Sequence, residues 1–458
     1  MRERPERYPL EAFLGAPDAL LAEFRAGLTL IEQASHAGDD NVRAAKALAH
    51  FRTAREQTDI ARWVGLADYH SAIALLLADQ IDDGARFADR AAASLADARS
   101  HMLVGHIALQ RRDWPVAFAA LERAAELGLP SASAALSLLY TLNQQAEPAL
   151  EHANAATAAH ANVGAGLVEL CLWQAKLALG LPVSECVFFS PPPLSPETRL
   201  TLSSIQLAPV FLSDDFHDAD VVIFMMVDAR YFGVYALPAM LSIAEHDPHL
   251  AVHVHIVNPA ADTLEVAKRL QALAPRLRFR ITSEEKYLPN TDAVALYCSC
   301  YRFLVLASVM ESEEQGRTYW SVDADSLLIR PVPGDAFSFG DSPVGLRIFD
   351  HEPIWQRYCA ASVCIKPTPA GMAFLRHVVW FIWAHLSSQR YRWFLDQAAL
   401  HYAAQLLPPH ALSPTLCALI ETDETVLLTA AGIEKHDSET TYNQARRGYL
   451  AQISQMRA

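Results

Sequence analysis

The chain has 458 residues, 52% of them hydrophobic and 19% charged, with a formal net charge of -15. That length exceeds one ordinary domain and points to two or three. The composition excludes a disordered chain, and the acidic balance argues against nonspecific binding to nucleic acid or anionic membrane, which draws on Lys and Arg.

Met1 to Leu10 is polar and carries three Arg, and no apolar run follows it that reads as a signal peptide. The most lipid-like stretch, Val378 to Leu386, is interrupted by His385 and falls short of the ~20 residues that cross a bilayer. A soluble, cytoplasmic protein without a membrane span is expected. The seven Cys are odd in number and none lies in a Cys-x-x-Cys pair. Cys298 and Cys300 fall two apart on an expected helix, so they point different ways and read as ordinary thiols.

From about Asp18 to Gly180 the sequence is rich in Ala and Leu at helical spacing, and residues 1–185 are expected to form an all-α domain. The clearest unit is Ser100 to Pro130. Gly105 and Ala108 lie on a first helix and Trp114, Ala117, Phe118, Leu121 and Ala124 on a second, with Pro130 closing the unit. Small residues at Gly105, Ala117 and Ala124 let two antiparallel helices approach closely. This unit resembles a tetratricopeptide repeat. Ala85, Ala88 and Ala91 before it, and Ala146, Ala149 and Ala153 after it, fit weakly at the ~34-residue period of such arrays. A non-repeating helical bundle is the alternative. Repeats of this kind imply a partner-binding surface or self-association into a homo-oligomer.

Ser190-Pro191-Pro192-Pro193 stops any helix, and 186–213 reads as a Pro-rich linker. From 214 to 458 short aliphatic runs alternate with helical stretches. Strands are expected at Val221–Val227, Ala251–Val257, Leu277–Ile281, Thr318–Val322 and Val344–Ile348, and helices at Ala236–Glu245, Thr263–Leu273 and Ala293–Glu311. The alternation predicts a mainly parallel sheet flanked by helices, with ligands at the carboxyl ends of its strands.

Those ends carry chemistry. The first strand ends in Asp228-Ala229-Arg230-Tyr231, and the fourth runs into Asp323-Ala324-Asp325. Two carboxylates one residue apart at a strand terminus make a hard, all-oxygen site suited to Mg²⁺ or Mn²⁺ together with a phosphate ligand. Two solvated turn carboxylates are the plain alternative for the Asp-x-Asp alone. A dehalogenase-type phosphatase also carries Asp-x-Asp after a strand, but at the start of its domain, whereas this one follows three earlier strands.

Taken in order, these pieces resemble a nucleotide-sugar transferase of the glycogenin and bacterial lipopolysaccharide-galactosyltransferase type over about Asp220 to Arg447. Asp228-x-x-Tyr231 is similar to the family's nucleoside contact. Tyr301-Arg302 stands on the helix before the metal strand. Ala361-Ser362-Val363 is similar to the strand beside the sugar, and Asp396-Gln397-Ala398 to the helix start near the reacting carbon. Ala360 replaces Asn and Ser362 replaces Gly, while Ala398 replaces a second Asp and His401 an Asn. The resemblance implies an all-α repeat domain followed by a GT-A, Rossmann-like domain. It implies a divalent ion (Mn²⁺ or Mg²⁺) on Asp323, Asp325 and a third ligand, for which His436 is the nearest candidate, although its Lys435 precedes rather than follows it. Asp228, Tyr231, Arg302 and Lys435 would then hold the donor, a UDP-sugar first among nucleotide sugars, with Asp396 and Gln397 near the anomeric carbon. Retention follows from the resemblance; a base at Asp350 or Asp396 would instead give inversion. The acceptor is a protein held by the repeats or, alternatively, a glycan or lipid-linked saccharide. A non-catalytic scaffold with a degenerate transferase domain is the remaining alternative.

Overall fold

The computed structural model describes the chain except residues 1–6, 9, 14, 35–39, 160–166, 184–204, 206, 289–290, 314–315, 338–339, 388–393, 409–410, 415–424, 431–437 and 458. The chain divides into two compact units, Met1–Cys186 and Val187–Ala458.

Among its described residues the first unit holds nine α-helices: α1 (Asp18–Ala34), α2 (Asp40–Glu56), α3 (Ala61–Leu77), α4 (Ile81–Leu95), α5 (Ala98–Gln110), α6 (Trp114–Glu126), α7 (Pro130–Leu142), α8 (Ala146–Ala158) and α9 (Leu167–Ala178). Each packs on its neighbour in sequence. The turns inside three successive pairs share one geometry. Asp79, Arg112 and Gln144, 33 and 32 residues apart, all adopt the left-handed conformation, with φ of 59°, 60° and 58°. In each turn the next N–H reaches the carbonyl five residues back: Gln80 to Leu75, Asp113 to Ala108 and Gln145 to Tyr140, at 2.8, 2.9 and 2.8 Å. This closes the helix end and reverses the chain. The expected close approach is present: a Cβ added at Gly105 would lie 2.7 Å from Leu121 Cγ, and one at Gly65 2.8 Å from Leu95 Cγ. Asp68 is buried but paired with Arg55 on α2 and Arg90 on α4, each at 3.0 Å, so one carboxylate ties three helices together.

The second unit is a Rossmann-like sheet domain. Its strands are β1 (Ala208–Leu212), β2 (Val221–Asp228), β3 (Ala251–Val257), β4 (Arg278–Glu284), β5 (Thr318–Val322), β6 (Ser326–Leu328), β7 (Val344–Ile348), β8 (Tyr358–Ile365), β9 (Leu412–Ser413) and β10 (Leu427–Thr429). Eight form one sheet in the order β1-β4-β3-β2-β5-β8-β7-β9, and β10 pairs with β6. The strands β4-β3-β2-β5 are mutually parallel, as their continuous aliphatic runs predict. Beyond them the sheet is mixed: β8 runs antiparallel to both β5 and β7, and β1 antiparallel to β4. The α-plus-α/β class is as expected.

One boundary is corrected. β1 lies inside the stretch read as linker and pairs with β4, so the sheet unit begins by residue 208 rather than 214. A five-residue edge strand after a Pro run leaves little pattern; what seats it is Phe211 stacked on Phe279, with ring centroids 4.8 Å apart. The Pro run itself lies outside the described residues.

The helices are α10 (Leu237–His246), α11 (Thr263–Leu273), α12 (Thr291–Ser312), α13 (Pro369–Ser387), α14 (Leu395–Gln405) and α15 (Thr441–Arg457). Within α12, Ala293–Ser312 is apolar enough over 20 residues to cross a bilayer by length and composition. It packs against β2 and α13, and 56% of it is buried, which is the position of a core helix.

Candidate active site

From β2 the chain steps to β3 and β4 on one side, while β5 lies on the other side of β2. This is the point where strand order reverses, and the crevice outside the carboxyl ends of β2 and β5 is where an open α/β sheet binds ligands. Asp228 ends β2 and Asp323 follows β5, so both expected carboxylates stand at that crevice.

Asp228 caps the first turn after β2: one oxygen accepts the Tyr231 N–H at 2.6 Å. The turn runs into a π-helical segment, Phe232–Ala236, and then α10. Single π turns of this kind are frequent at functional sites. Here it brings Tyr235 against Tyr231, with centroids 4.6 Å apart.

Asp323 is pinned by its backbone, whose N–H donates to the Ala361 carbonyl of β8 at 3.1 Å, while its side chain stays 38% exposed. Asp325 is buried, and its carbonyl accepts the Ala430 N–H at 3.0 Å beside the β6–β10 pair. The Asp-x-Asp turn is therefore held between the main sheet and the small one, with one carboxylate open and the next inside.

Arg302 reaches this turn from α12. Its side chain is 5% exposed and donates through Nη1 to Asp323 and through Nη2 to Asp396 at 3.3 Å. Burial works against the Arg302 charge, but the Asp323 and Asp396 carboxylates outweigh it and hold its pKa above the ordinary value. Burial raises the Asp396 pKa; Arg302 opposes the shift and Asp323 adds to it. Asp396 opens α14, and the residue two before it, Phe394, is in the left-handed region at φ 67°. A bulky residue is strained there.

Two largely buried thiols feel the charges of these carboxylates. Cys298 of α12 is pushed up to about 12 by burial and by the charges of Asp228 and Glu284. Burial and the Asp323 charge raise Cys359 of β8. Beside Asp396 a cavity of about 300 Å³ is lined by Phe349, Glu352, Gln356, Cys359, Phe394 and Gln397. Gln397 thus faces open space next to the ion-paired triad. Asp350 is 74% exposed and lies 3.6 Å from Arg357.

The structure thus brings Asp228, Tyr231, Arg302, Asp323, Asp325, Asp396 and Gln397 to one region. Lys435 and His436 lie outside the described residues. Among the described residues no group of three or more His, Cys, Asp and Glu side chains is set to hold an ion. Asp323 and Asp325 supply the hard oxygen donors on which Mg²⁺ or Mn²⁺ would sit. His253 and His255 are buried on one face of β3, both within 2.9 Å of the Thr282 hydroxyl, and are structural. Ser362, where the resembled family has Gly, accepts the Trp320 indole N–H at 2.9 Å, so its hydroxyl is spent inside the sheet.

Sequence reasoning missed two features. Lys286, after β4, lies 5.8 and 5.9 Å over the stacked rings of Tyr297 and Tyr301. On α15, Tyr442 and Arg446 pack beside Tyr235. The tyrosine spacing of four on α12 was the only available signal for the first, and nothing local marked the second.

No protein-family model matches the chain, and no curated protein matches it. Among solved structures, it is similar to the galactosyltransferase LgtC in complex with donor and acceptor sugar analogues. That match has 13% identity and a TM-score of 0.35, over 51% of this chain and 95% of that one. It is also similar to the glycosyltransferase GlyE of Streptococcus pneumoniae TIGR4, at 11% identity over 51% and 64% with a TM-score of 0.32. Mouse xyloside xylosyltransferase 1 matches at 10% over 42% and 83%, with a TM-score of 0.28. Likeness at this level carries no weight for the chemistry, which rests on the residues themselves.

Proposed function

We propose that the second unit is a metal-dependent glycosyltransferase that takes its sugar from a nucleoside-diphosphate sugar, a UDP-sugar foremost. The observation that carries this is the placement of Asp228 and the Asp323-Ala324-Asp325 turn on adjacent parallel strands at the reversal of strand order. Asp323 and Asp325 are the ligands of Mn²⁺ or Mg²⁺, with His436 as the third and Lys435 beside it. When bound, the ion neutralises charge on the departing diphosphate. Asp228 and Tyr231 hold the nucleoside by hydrogen bond and stacking. Arg302 bridges the Asp323 and Asp396 carboxylates and fixes their places beside the donor.

Retention is the favoured stereochemical outcome. Asp396 is committed to Arg302, and Asp350 is exposed and turned to Arg357, so neither is poised as a general base for in-line attack. Gln397 and the carbonyls near it are left to face the oxocarbenium-like centre.

The repeated left-handed turns of the first unit favour a tetratricopeptide-like array, which suits a polypeptide acceptor. Protein O-glycosylation is the preferred reading. A glycan acceptor is the second, favoured by the cavity that Phe349, Phe394, Gln356 and Gln397 line.

Calorimetric titration of nucleoside diphosphates and nucleotide sugars, with and without Mn²⁺, tests the reading. Metal-dependent binding of one nucleotide class, lost in Asp323→Ala/Asp325→Ala, is expected. Absence of binding in every metal condition overturns it in favour of a scaffold.

A further inference from the structure

Among the described residues, Arg446 is an arginine without an anion. It lies on α15, which is locked to the sheet unit by Ile453 in the core, by Tyr449 donating to Glu245 at 2.8 Å, and by Arg269 donating to the Met456 carbonyl at 2.9 Å. The Arg446 guanidinium carbon sits 4.7 Å from the Tyr235 ring and 5.6 Å from the Tyr442 ring. Its Nε and Nη1 are shielded from solvent and have no hydrogen-bond partner among the described residues. No carboxylate among the described residues pairs with it, in a chain with 52 Asp and Glu against 37 Lys and Arg. Guanidinium N–H groups removed from water without an acceptor cost free energy, and cation–π contact with two rings recovers only part of it. An anion supplied from outside the protein would satisfy the remainder.

The surroundings say which anion. Tyr235 touches Tyr231, 4.6 Å away at the Asp228 turn. Tyr442 is buried in the same core cluster as Ala324, the residue between Asp323 and Asp325. Arg446 therefore stands one ring away from the expected nucleoside contact and against a tyrosine of the cluster that holds the middle residue of the expected metal turn, a setting suited to a donor's phosphates. We propose that Arg446 is a donor-binding residue that receives diphosphate oxygens of the nucleotide sugar, from a slot formed by Tyr235 and Tyr442. Its planar fork of donors suits two phosphate oxygens at once, which a lysine cannot reproduce. The inference rests on the nucleotide-sugar reading above.

The test compares, by calorimetry in Mn²⁺, the nucleoside diphosphate that the wild type binds from a panel of UDP, GDP, ADP, CDP and dTDP with its monophosphate and its free nucleoside. Arg446→Met keeps the packed stem and removes the charge. It is expected to weaken the diphosphate about 10- to 100-fold while leaving the free nucleoside within about two-fold, the range of one charged hydrogen-bonding group. Arg446→Lys should fall between, and it decides the matter if the methionine variant does not fold. Equal weakening of nucleoside and diphosphate would mean that Arg446 only braces Tyr235 and Tyr231, and would overturn the proposal. So would diphosphate binding unchanged from wild type, which leaves the transferase reading intact. A wild type that binds no nucleotide sinks both.

Discussion

The Arg302 guanidinium donates to the Asp323 carboxylate across the gap between α12 and the end of β5. The same guanidinium reaches Asp396 on α14, so a single buried cation holds two carboxylates from different elements. Removing it leaves carboxylates without their partner, Asp396 almost wholly shielded from water. Breaking a buried pair from one side costs more than the pair contributes, about 3 kcal/mol or more. Arg302→Met is expected to lower the unfolding midpoint of the sheet unit in urea and to reduce sugar transfer at least about 100-fold. Arg302→Lys should recover stability in part and activity little, because an ammonium cannot span both acids with fixed geometry. Full activity in either variant would remove Arg302 from the site.

Asp323 and Asp325 are both held by the fold, and neutralising either should cost stability. Asp323→Asn takes one of two acids from the buried Arg302 guanidinium, which keeps Asp396, and should lower the melting temperature. Asp325→Asn changes a buried group and should lower it by a few degrees. Both should abolish Mn²⁺-dependent binding of the nucleotide, measured by titrating metal at fixed nucleoside diphosphate. Nucleotide binding indifferent to metal in the wild type would contradict the assignment.

The strand ends were legible because each is a buried aliphatic run that stops at a carboxylate: Val221–Asp228 and Thr318–Val322 with Asp323 following. Arg302 was legible because its helix lies between two such strands. What the sequence hid comes from long-range packing. Arg446 meets Tyr235 across more than two hundred residues, and the Phe349–Phe394 cavity joins a strand end to a helix start. Left-handed residues were hidden for another reason. Asp79, Arg112, Gln144 and Phe394 adopt a conformation that marks glycine, so their side chains give no sign of it. The mixed half of the sheet was missed because β7 and β8 are as apolar as the parallel strands beside them.

His70 predicts an acid-sensitive helical unit. It is wholly buried among Tyr8, Phe13, Phe24, Phe51 and Tyr69, with Nδ1 2.8 Å from the Leu66 carbonyl. Burial lowers its pKa from 6.5 to about 4. Between those values the unfolded chain takes up a proton that the folded unit refuses. Stability is therefore fully present above 6.5 and is lost as pH falls toward 4, by about 3 kcal/mol in all. Urea midpoints of the full chain, read by helical ellipticity across that window, should fall steeply for wild type and more gently for His70→Leu. Parallel pH profiles for the two would show that another group governs the loss.

Phe394 joins strain to function. Its φ of 67° holds a bulky residue in the left-handed region directly before Leu395 and Asp396, while its ring lines the cavity beside Gln397. Such strain costs about 1 kcal/mol or more and persists where the surroundings enforce it. Phe394→Gly relieves the backbone and removes a wall of the cavity. The variant should be as stable as wild type or slightly more so, yet its KM for the acceptor should rise several-fold with the donor KM unchanged. Phe394→Leu keeps both strain and a smaller wall and should fall between on acceptor KM. If instead the glycine variant loses donor binding, then Phe394 acts through the placement of Asp396 against Arg302, and the cavity is not where the acceptor sits.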